Sequence, residues 1–228
     1  EVIRQVCDDD INNVRQYLKC TNESAKSWKE LLSKIPPPLY VVCDGQKGML
    51  EAIKACWNHT SIQRCQFHIS LNFKQKLGRK LATPQAKQLR QITRLICHID
   101  TPFRLKLWWL LFSDFSNKLD LFIKHSNLFY KTKETIEINK VKLFRKKLYN
   151  LWKSGELFAC VIEDRFKVYN TTNKVEGGVN TGISELIADH RGATEEMQCF
   201  IVEVFLISKS PHYNKRKLAK YLSRKKFY

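Results

Sequence analysis

The stretch Leu39–Trp57, LYVVCDGQKGMLEAIKACW, decides the fold of this chain. It opens with a continuous apolar run, Leu39–Cys43, which is typical of a strand buried on both faces. Asp44 and the glycine after it end the strand, and Gln46–Trp57 has the apolar spacing of a helix. Ser61–Phe67 is predicted to be the next strand, which gives the alternation of an α/β sheet. Ligands bind at the carboxyl ends of strands in such sheets, where Asp44 is expected.

Elements before this stretch are predicted from the same signals. Residues 2–7 and 14–18 are expected to form short strands joined by a polar turn, in which Asp8, Asp9 and Asp10 are ordinary turn residues. A helix is expected over 23–35, with its apolar residues on one face, and three prolines end it.

The middle of the chain, roughly residues 84–160, is predicted to be helical. Thr83 and Thr101 each precede a proline, which is the pattern of a capped helix start. The first of these helices is expected to bury Leu89, Ile92, Leu95 and Ile96. The second is rich in aromatic residues between positions 108 and 122, which we interpret mainly as helical core. Residues 127–139 are predicted to be a polar loop, and Asn139–Lys153 a third helix.

The last third of the chain is predicted to contain two further helices and a tail. Thr172 or Asn173 is expected to cap a helix that runs to about Asp189. Thr194 is expected to open an apolar helix that ends near residue 208. Beyond Pro211 the sequence is basic, and we expect it to be poorly ordered.

Charge points to a polyanionic partner. The 228 residues include 40 Lys and Arg against 22 Asp and Glu, a net charge of +18. Residues 70–95 carry seven basic residues and no acid, and 209–228 carry eight and no acid, which favours a surface for nucleic-acid phosphates. The DNA contacts are expected at Lys74, Lys76, Arg79 and Lys80, and such contacts position a duplex without reading its bases.

Cysteine spacing and hydropathy narrow the class of protein further. Eight scattered cysteines form no Cys-x-x-Cys pair, which favours free thiols in a reducing cytosol. The longest apolar stretch, LKLWWLLF, is too short to span a bilayer, so no membrane partner is expected.

Two distant acidic residues are candidate metal ligands. Asp44 ends a strand, Glu176 begins a predicted helix, and a pair of carboxylates can hold divalent cations for phosphoryl transfer. Taken singly, Asp44 is better explained as a turn residue and Glu176 as a carboxylate that favours a helix N-terminus, and only the surrounding motifs favour the catalytic interpretation. Gly177 and the glycine after it lower the stability of the predicted helix, which suggests either close approach of DNA or tight packing on the sheet. Asn180 is expected to face the same groove and to contact DNA.

Cys65 and His68 form a close pair with several interpretations. A structural zinc site needs about four ligands, and no second close pair stands nearby, so zinc is not expected. His68 is expected to hydrogen-bond a metal-binding carboxylate or to contact phosphate, and the alternative is a satisfied core histidine.

Four separate motifs carry a resemblance: VVCDGQKGMLEAIKACW, IQRCQFHI, YNTTNKVEGGVN and ELIADHRGATEE. In this order and spacing they resemble bacterial transposases related to the Mutator elements, over about residues 23–208. The resemblance implies an α/β fold with an RNase H-like mixed sheet, interrupted by an all-helical insertion. It implies an enzyme of the Asp-Asp-Glu type that cuts and joins double-stranded DNA at transposon ends and in target DNA. It also implies two Mg²⁺ or Mn²⁺ ions and a homo-oligomer assembled on DNA.

The resemblance assigns roles residue by residue. Asp44 matches the second catalytic Asp, Glu176 matches the catalytic Glu, and Cys65 with His68 match a Cys-x2-His pair. Arg191 matches the arginine of a His-Arg-Gly motif and is expected to bind phosphate; alternatively it is a surface cation near a helix C-terminus.

The implied domains are an RNase H-like core over 1–80, a helical insertion over 81–165, the end of the core over 166–208 and a basic tail over 209–228. The first catalytic Asp and its strand are expected ahead of Glu1, so we expect the chain to be a fragment of a transposase. Two alternatives stay open: an RNase H-like nuclease acting on RNA or RNA–DNA hybrids, and an inactive DNA-binding remnant.

Overall fold

The computed structural model describes residues 2–7, 14–126, 132–162, 169–172, 176–210 and 213–224, which form a mixed α/β structure in which helices predominate. The strands are β1 (Val2–Cys7), β2 (Val14–Cys20), β3 (Tyr40–Cys43) and β4 (Ser61–Arg64). The helices are α1 (Ala25–Leu32), α2 (Lys47–Cys56), α3 (Gln66–Leu77), α4 (Pro84–Leu95), α5 (Pro102–His125), α6 (Lys133–Lys153), α7 (Ala159–Ile162), α8 (Thr181–Asp189), α9 (Glu195–Ser208) and α10 (Lys215–Arg224).

Strands β3 and β4 pair in parallel, which confirms the predicted strand–helix–strand unit. The register runs from Tyr40 opposite Ser61 to Cys43 opposite Arg64. The prediction that β3 is buried on both faces was wrong. Leu39 precedes the strand and is 70% exposed, and of the strand residues only Cys43 is buried. The described sheet around β3 has two strands, so its surfaces are covered only in part.

Strand β4 is shorter than predicted because the chain turns into α3 at Cys65. The N–H of Cys65 donates to the carbonyl oxygen of Cys43 at 2.7 Å, and the N–H of Gln66 donates to that of Asn170 at 2.9 Å. Phe67, predicted in the strand, is therefore helical. The consequence is that Asp44 and Cys65 follow the carboxyl ends of two neighbouring parallel strands.

The chain divides into two compact units, and the first comprises Glu1–Pro38, Gln46–Thr60 and Asn173–Tyr228. In it β1 and β2 pair antiparallel, α1 packs on α2 and on β2, and α9 packs on β2 and on α8. Ser24 caps α1 by accepting from the N–H of Ser27, and Thr194 caps α9 as predicted. One small core of this unit consists of buried Val14, Val179, Val202 and Leu206.

The second unit comprises Leu39–Gly45 and Ser61–Thr172, and it holds the predicted helical block. Its core centres on Trp108, Phe112, Phe115 and Phe158, which confirms the interpretation of the aromatic residues as mainly core. The indole N–H of Trp108 donates to the carbonyl oxygen of Ile92 at 3.0 Å, which satisfies its buried polar atom. Phe122 is the exception, at 38% exposed.

Two predictions about the helical block were wrong. The predicted loop over 127–139 is helical from Lys133 onward, because Thr132 and Thr135 form a reciprocal capping box that starts α6; residues 127–131 lie outside the described part. Leu95, predicted to be buried, is 42% exposed, because the buried face of α4 is centred on Leu89, Thr93 and Ile96 and the helical spacing places Leu95 outside it. The caps at Thr83 and Thr101 are confirmed.

The predicted helix that ends near Asp189 is described from Glu176 onward and ends at Asp189 as predicted. Glu176–Asn180 forms a single π-helical turn, and α8 follows it. Thr172 donates two hydrogen bonds to the sulfur of Cys65, and the cap predicted at Thr172 or Asn173 stays a prediction. The tail expected to be poorly ordered contains α10, whereas Asn173 and the Asp8–Asp10 turn lie outside the described residues.

Three broader predictions from the sequence concern the cysteines, membrane spans and domain organisation. All eight cysteines are described, and all are free thiols, as predicted. Among the described helices none is both long and apolar enough to cross a membrane. The RNase H-like sheet and the four domain boundaries stay predictions.

Candidate active site

Asp44 lies at the carboxyl end of β3, where the sequence places it, and it is exposed. Below it, burial raises the pKa of the Cys43 thiol to about 12; the negative charge of Asp44 adds to the rise and Arg64 opposes it. Cys43 is therefore a neutral, apolar support at the end of the strand. The carboxylate of Asp44 sits at the rim of the sheet, the usual position of ligand-binding residues in α/β folds.

Arg64 is a residue of this site that the sequence motifs did not reveal. It is buried at the end of β4, and its Nη2 donates to the carbonyl oxygens of Asp44 at 3.1 Å and Gly45 at 3.2 Å. Its Nη1 lies 3.7 Å from the carboxylate of Glu156, which is also largely buried. The sequence did carry one signal for this residue: Arg64 is a charged residue inside a short predicted strand, and a buried charge needs partners.

Two buried glutamines extend this polar network. Gln63 donates from Nε2 to the carbonyl oxygens of Arg64 at 2.7 Å and Leu157 at 2.9 Å, and its Oε1 accepts from the N–H of Cys160 at 3.0 Å. Gln66 donates to the same Leu157 oxygen at 3.1 Å. On the side of β4 away from β3, the two glutamine side chains thus supply hydrogen bonds to backbone groups that a neighbouring strand would otherwise supply.

Cys65 and His68 lie together, as their spacing on one helix end predicts. Cys65 is fully buried, and its Sγ lies 3.2 Å from Nδ1 of His68. The backbone N–H and the hydroxyl of Thr172 both donate to the same sulfur at 3.3 Å, and that hydroxyl lies 3.5 Å from the histidine nitrogen. Nothing in the sequence signals the third member, which is 107 positions away from Cys65 along the chain.

The remaining predicted site residues belong to the first unit. Glu176 starts the π-helical turn, and its side chain lies outside the described part of the structure. Asn180 ends that turn and is exposed. Arg191 is exposed in the turn after α8, next to His190, whose N–H donates to the carbonyl oxygen of Leu186 and closes the helix. The convergence of Asp44 and Glu176 stays a prediction.

The predicted phosphate-binding residues differ in their surroundings. Lys74 and Lys76 are exposed in the last turns of α3, and Arg79 and Lys80 are exposed after it. Arg90 has a structural role instead, because its guanidinium donates to the carbonyl oxygens of Gly78 and Arg79.

A further basic residue belongs with this group. Desolvation lowers the pKa of Lys147 on α6, and the positive charges of Arg64 and Lys76 lower it further. Helix α6 packs against α3, and between residues 138 and 155 it carries basic residues and no acid. Lys147 on α6 therefore lies near Lys76, and these two residues, with Lys74, Arg79 and Lys80, define the positively charged surface of this unit.

Asp44 is a candidate metal ligand in the described part of the structure. Among residues whose placement is described, no group of three His, Cys, Asp or Glu side chains is arranged to hold a metal ion. Mg²⁺ is commonly held by one or two carboxylates, with substrate phosphates and water as its other ligands. One exposed carboxylate at a strand end, Asp44, fits that mode.

Comparison with known proteins adds one positive finding. Residues 13–96 match the family model described as "Transposase, Mutator family". The matched segment contains Asp44, Arg64, Cys65 and His68, whereas Glu176 and Arg191 lie beyond it. No curated protein and no solved structure matches the chain.

Proposed function

We propose, from the premise that residues 13–96 are a segment of the Mutator family of transposases, that this chain cuts and joins DNA strands by metal-dependent phosphoryl transfer. The observation that supports this most is the position of Asp44, an exposed carboxylate after a parallel strand within the matched segment. In this proposal Asp44 and Glu176 hold a divalent cation, Mg²⁺ or Mn²⁺. When bound, the cation neutralises charge on phosphate oxygens and activates the attacking water or 3′-hydroxyl.

The protein's own residues position the reacting groups. The positively charged surface on α3, α6 and the segment after α3 binds the phosphates of a duplex and holds the DNA in register. Asp44 holds the cation at the strand end, and Arg191 pairs with a phosphate of the DNA. The DNA partners are transposon ends and target DNA, and the paired ends require a homo-oligomer.

Cys65 and His68 act through the chain that they hold rather than on the substrate. Their contacts fix Thr172, which lies four positions before Glu176 in the sequence. Because the N–H of Cys65 also donates to the carbonyl oxygen of Cys43, the residue before Asp44, this one cysteine connects Thr172 with the strand end that carries Asp44. Such supporting contacts are commonly needed to hold a metal ligand in place.

The test is a strand-cleavage assay with the full chain, Mg²⁺ or Mn²⁺, and labelled duplexes taken from the DNA that flanks its coding sequence. Asp44→Asn and Glu176→Gln are expected to lower cleavage more than roughly a hundredfold, since even changes beside a metal site cost about ten- to a hundredfold. DNA affinity should change less than about twofold, because phosphate contacts dominate it.

Asp114→Asn is the matched control, since Asp114 is an exposed acid on α5 that pairs with Lys118 at 2.8 Å. It should cleave like the wild type. DNA binding without cleavage at any metal concentration would contradict the proposal and support a remnant. Preferential cleavage of an RNA–DNA hybrid would instead support a nuclease.

A further inference from the structure

The guanidinium of Arg64 lies directly under the loop that carries Asp44. Arg64 is 8% exposed and stands opposite Cys43 in the β3–β4 register. One nitrogen, Nη2, donates to the carbonyl oxygens of Asp44 and Gly45 at 3.1 and 3.2 Å. The two peptide groups that follow the strand are therefore held by one charged donor, and such hydrogen bonds are stronger than neutral ones.

Two features of Gly45 allow the Arg64 guanidinium to lie against this loop. Its φ is +84°, a backbone conformation that other residues adopt only with strain. A Cβ on Gly45 would also overlap Nη2 and Cζ of Arg64, inside the guanidinium itself. The loop and the arginine are thus mutually dependent, and a side chain at position 45 would expel the guanidinium.

The charge of Arg64 is balanced away from the loop. Glu156 lies 3.7 Å from Nη1, and its carbonyl oxygen accepts from the N–H of Arg64 at 2.8 Å. Among the described residues the buried Nε of Arg64 has no hydrogen-bond partner. Burying a charge with an incomplete set of partners is costly, and an apolar side chain would often be more stable there. Stability alone is therefore a weak reason for an arginine at this position.

We propose that Arg64 is a positioning residue for Asp44: it fixes the backbone at the end of β3 so that the Asp44 carboxylate is held ready for a divalent cation. The proposal rests on the proposed function. With both carbonyl groups fixed, the remaining freedom of Asp44 is rotation of its own short side chain. Metal and catalytic groups need placement within about 0.5 Å, which supporting contacts of this kind provide.

Arg64→Lys tests the proposal in the full chain, since lysine keeps the charge opposite Glu156 but loses the planar fork. Hydrogen exchange of a peptide that covers residues 43–50 is expected to be about tenfold faster, as for the loss of one hydrogen bond to a charged group. Mn²⁺ affinity, measured by calorimetry, is expected to fall about tenfold. The Mg²⁺ concentration for half-maximal cleavage should rise by the same factor, with DNA affinity unchanged.

Gly45→Ala provides a second variant and Gly78→Ala its matched control. Both glycines have φ of +84°, but a Cβ at Gly78 meets no described atom within 4 Å, so the two variants share the backbone strain and differ in the clash with Arg64. Gly45→Ala is expected to reproduce the faster exchange and weaker Mn²⁺ binding. Gly78→Ala is expected to leave both unchanged.

Each outcome decides the proposal. Unchanged exchange in Arg64→Lys would overturn it, and so would faster exchange with unchanged Mn²⁺ affinity, which would make Arg64 purely structural. A wild-type protein that binds Mn²⁺ without cleaving DNA would overturn the proposed function, while the exchange and Mn²⁺ measurements would still decide the role of Arg64. A wild-type protein that binds no Mn²⁺ would overturn both.

Discussion

The sulfur of Cys65 accepts two hydrogen bonds from Thr172, one from its backbone N–H and one from its hydroxyl, each at 3.3 Å. Nδ1 of His68 lies 3.2 Å from the same sulfur and 3.5 Å from the Thr172 hydroxyl oxygen. A cysteine at the start of α3 thereby holds a segment that is distant in sequence and leads toward Glu176. This contact connects the motif at residues 62–69 with residues 169–172 of the later motif inside one compact unit.

Replacing Cys65 by alanine should destabilise the protein. Alanine removes three polar interactions with a fully buried sulfur and leaves a small cavity, so we expect the free energy of unfolding to fall by about 1–3 kcal/mol. Urea denaturation measures this change. Cys56→Ala is the control, because the half-buried Cys56 makes a long hydrogen bond of 3.8 Å to the carbonyl oxygen of Lys29. An equal fall in stability of both variants would contradict the role given to Thr172.

Removing charge at the end of α3 should weaken DNA binding uniformly across sequences. With Lys74, Lys76, Arg79 and Lys80 replaced by glutamine, affinity for any duplex should fall. The slope of log affinity against log salt should flatten by about 0.9 for each phosphate that the variant no longer neutralises. Fluorescence anisotropy over a range of salt measures both quantities. Lys118→Gln is the control, since Lys118 pairs with Asp114 on α5. A slope that stays the same in the fourfold variant would place the DNA elsewhere.

Two glycines near the predicted catalytic Glu should respond oppositely to alanine. A Cβ at Gly182 on α8 would lie 2.7 Å from the ring of Phe205, so Gly182→Ala should cost about 1–3 kcal/mol by overpacking. A Cβ at Gly177 meets no described atom within 4 Å, and Gly177→Ala should be neutral or should stabilise by up to about 1 kcal/mol. Thermal unfolding distinguishes the two. If Gly177→Ala keeps the fold but weakens DNA binding, close approach of DNA explains that glycine.

The stability of the second unit should depend on the ionisation of Glu137. Burial alone would raise the pKa of this carboxyl group, but hydrogen bonds from Thr83 and from the N–H of Ala82, with the charge of Lys140, lower it below its usual 4.5. A lowered folded-state pKa stabilises the fold above about pH 4.5, and this contribution disappears as the pH falls through the folded value.

Glu137→Gln should therefore lower stability at pH 7 and reduce the fall in stability between pH 7 and pH 3, as measured by urea denaturation at each pH. Glu134→Gln serves as the control, because Glu134 is exposed on the first turn of the same helix. If Glu137→Gln and the wild type are destabilised equally on acidification, the hydrogen bonds to Thr83 do not depend on the charge.

Local signals predicted many elements of this fold correctly. Thr83, Thr101 and Thr194 each precede an apolar periodic segment, and each caps the helix that was expected from it. The start of α6 was predicted too late because its first turns are polar, so the hydrophobic pattern begins later than the helix does. The strand β4 was predicted too long because Cys65, Phe67 and Ile69 continue an apolar pattern into a helix, and a short pattern of this kind does not distinguish the two.

The site was predictable only where it depends on neighbours in the chain. The position of Asp44 and the meeting of Cys65 with His68 follow from a strand end and from a three-residue helical spacing. Thr172 and Glu156 reach the site through folding of the intervening helices, and no local pattern carries that information. Arg64 had a usable signal, since a charge inside a short strand requires a buried partner, but its target, the Asp44–Gly45 backbone, is not visible in sequence.

The parallel register of β3 and β4 decides on which side of the strand the guanidinium lies. Cys43 stands opposite Arg64, and side chains alternate between the two sides of a strand. One residue inserted or deleted anywhere between Gly45 and Thr60 that slipped this pairing would turn the guanidinium to the opposite side, away from the loop it supports. We therefore expect α2 to accept many changes of surface residue, and we expect insertions or deletions to be harmful where they slip the β3–β4 register, so that indel scanning across this strand–helix–strand crossover would separate the two constraints.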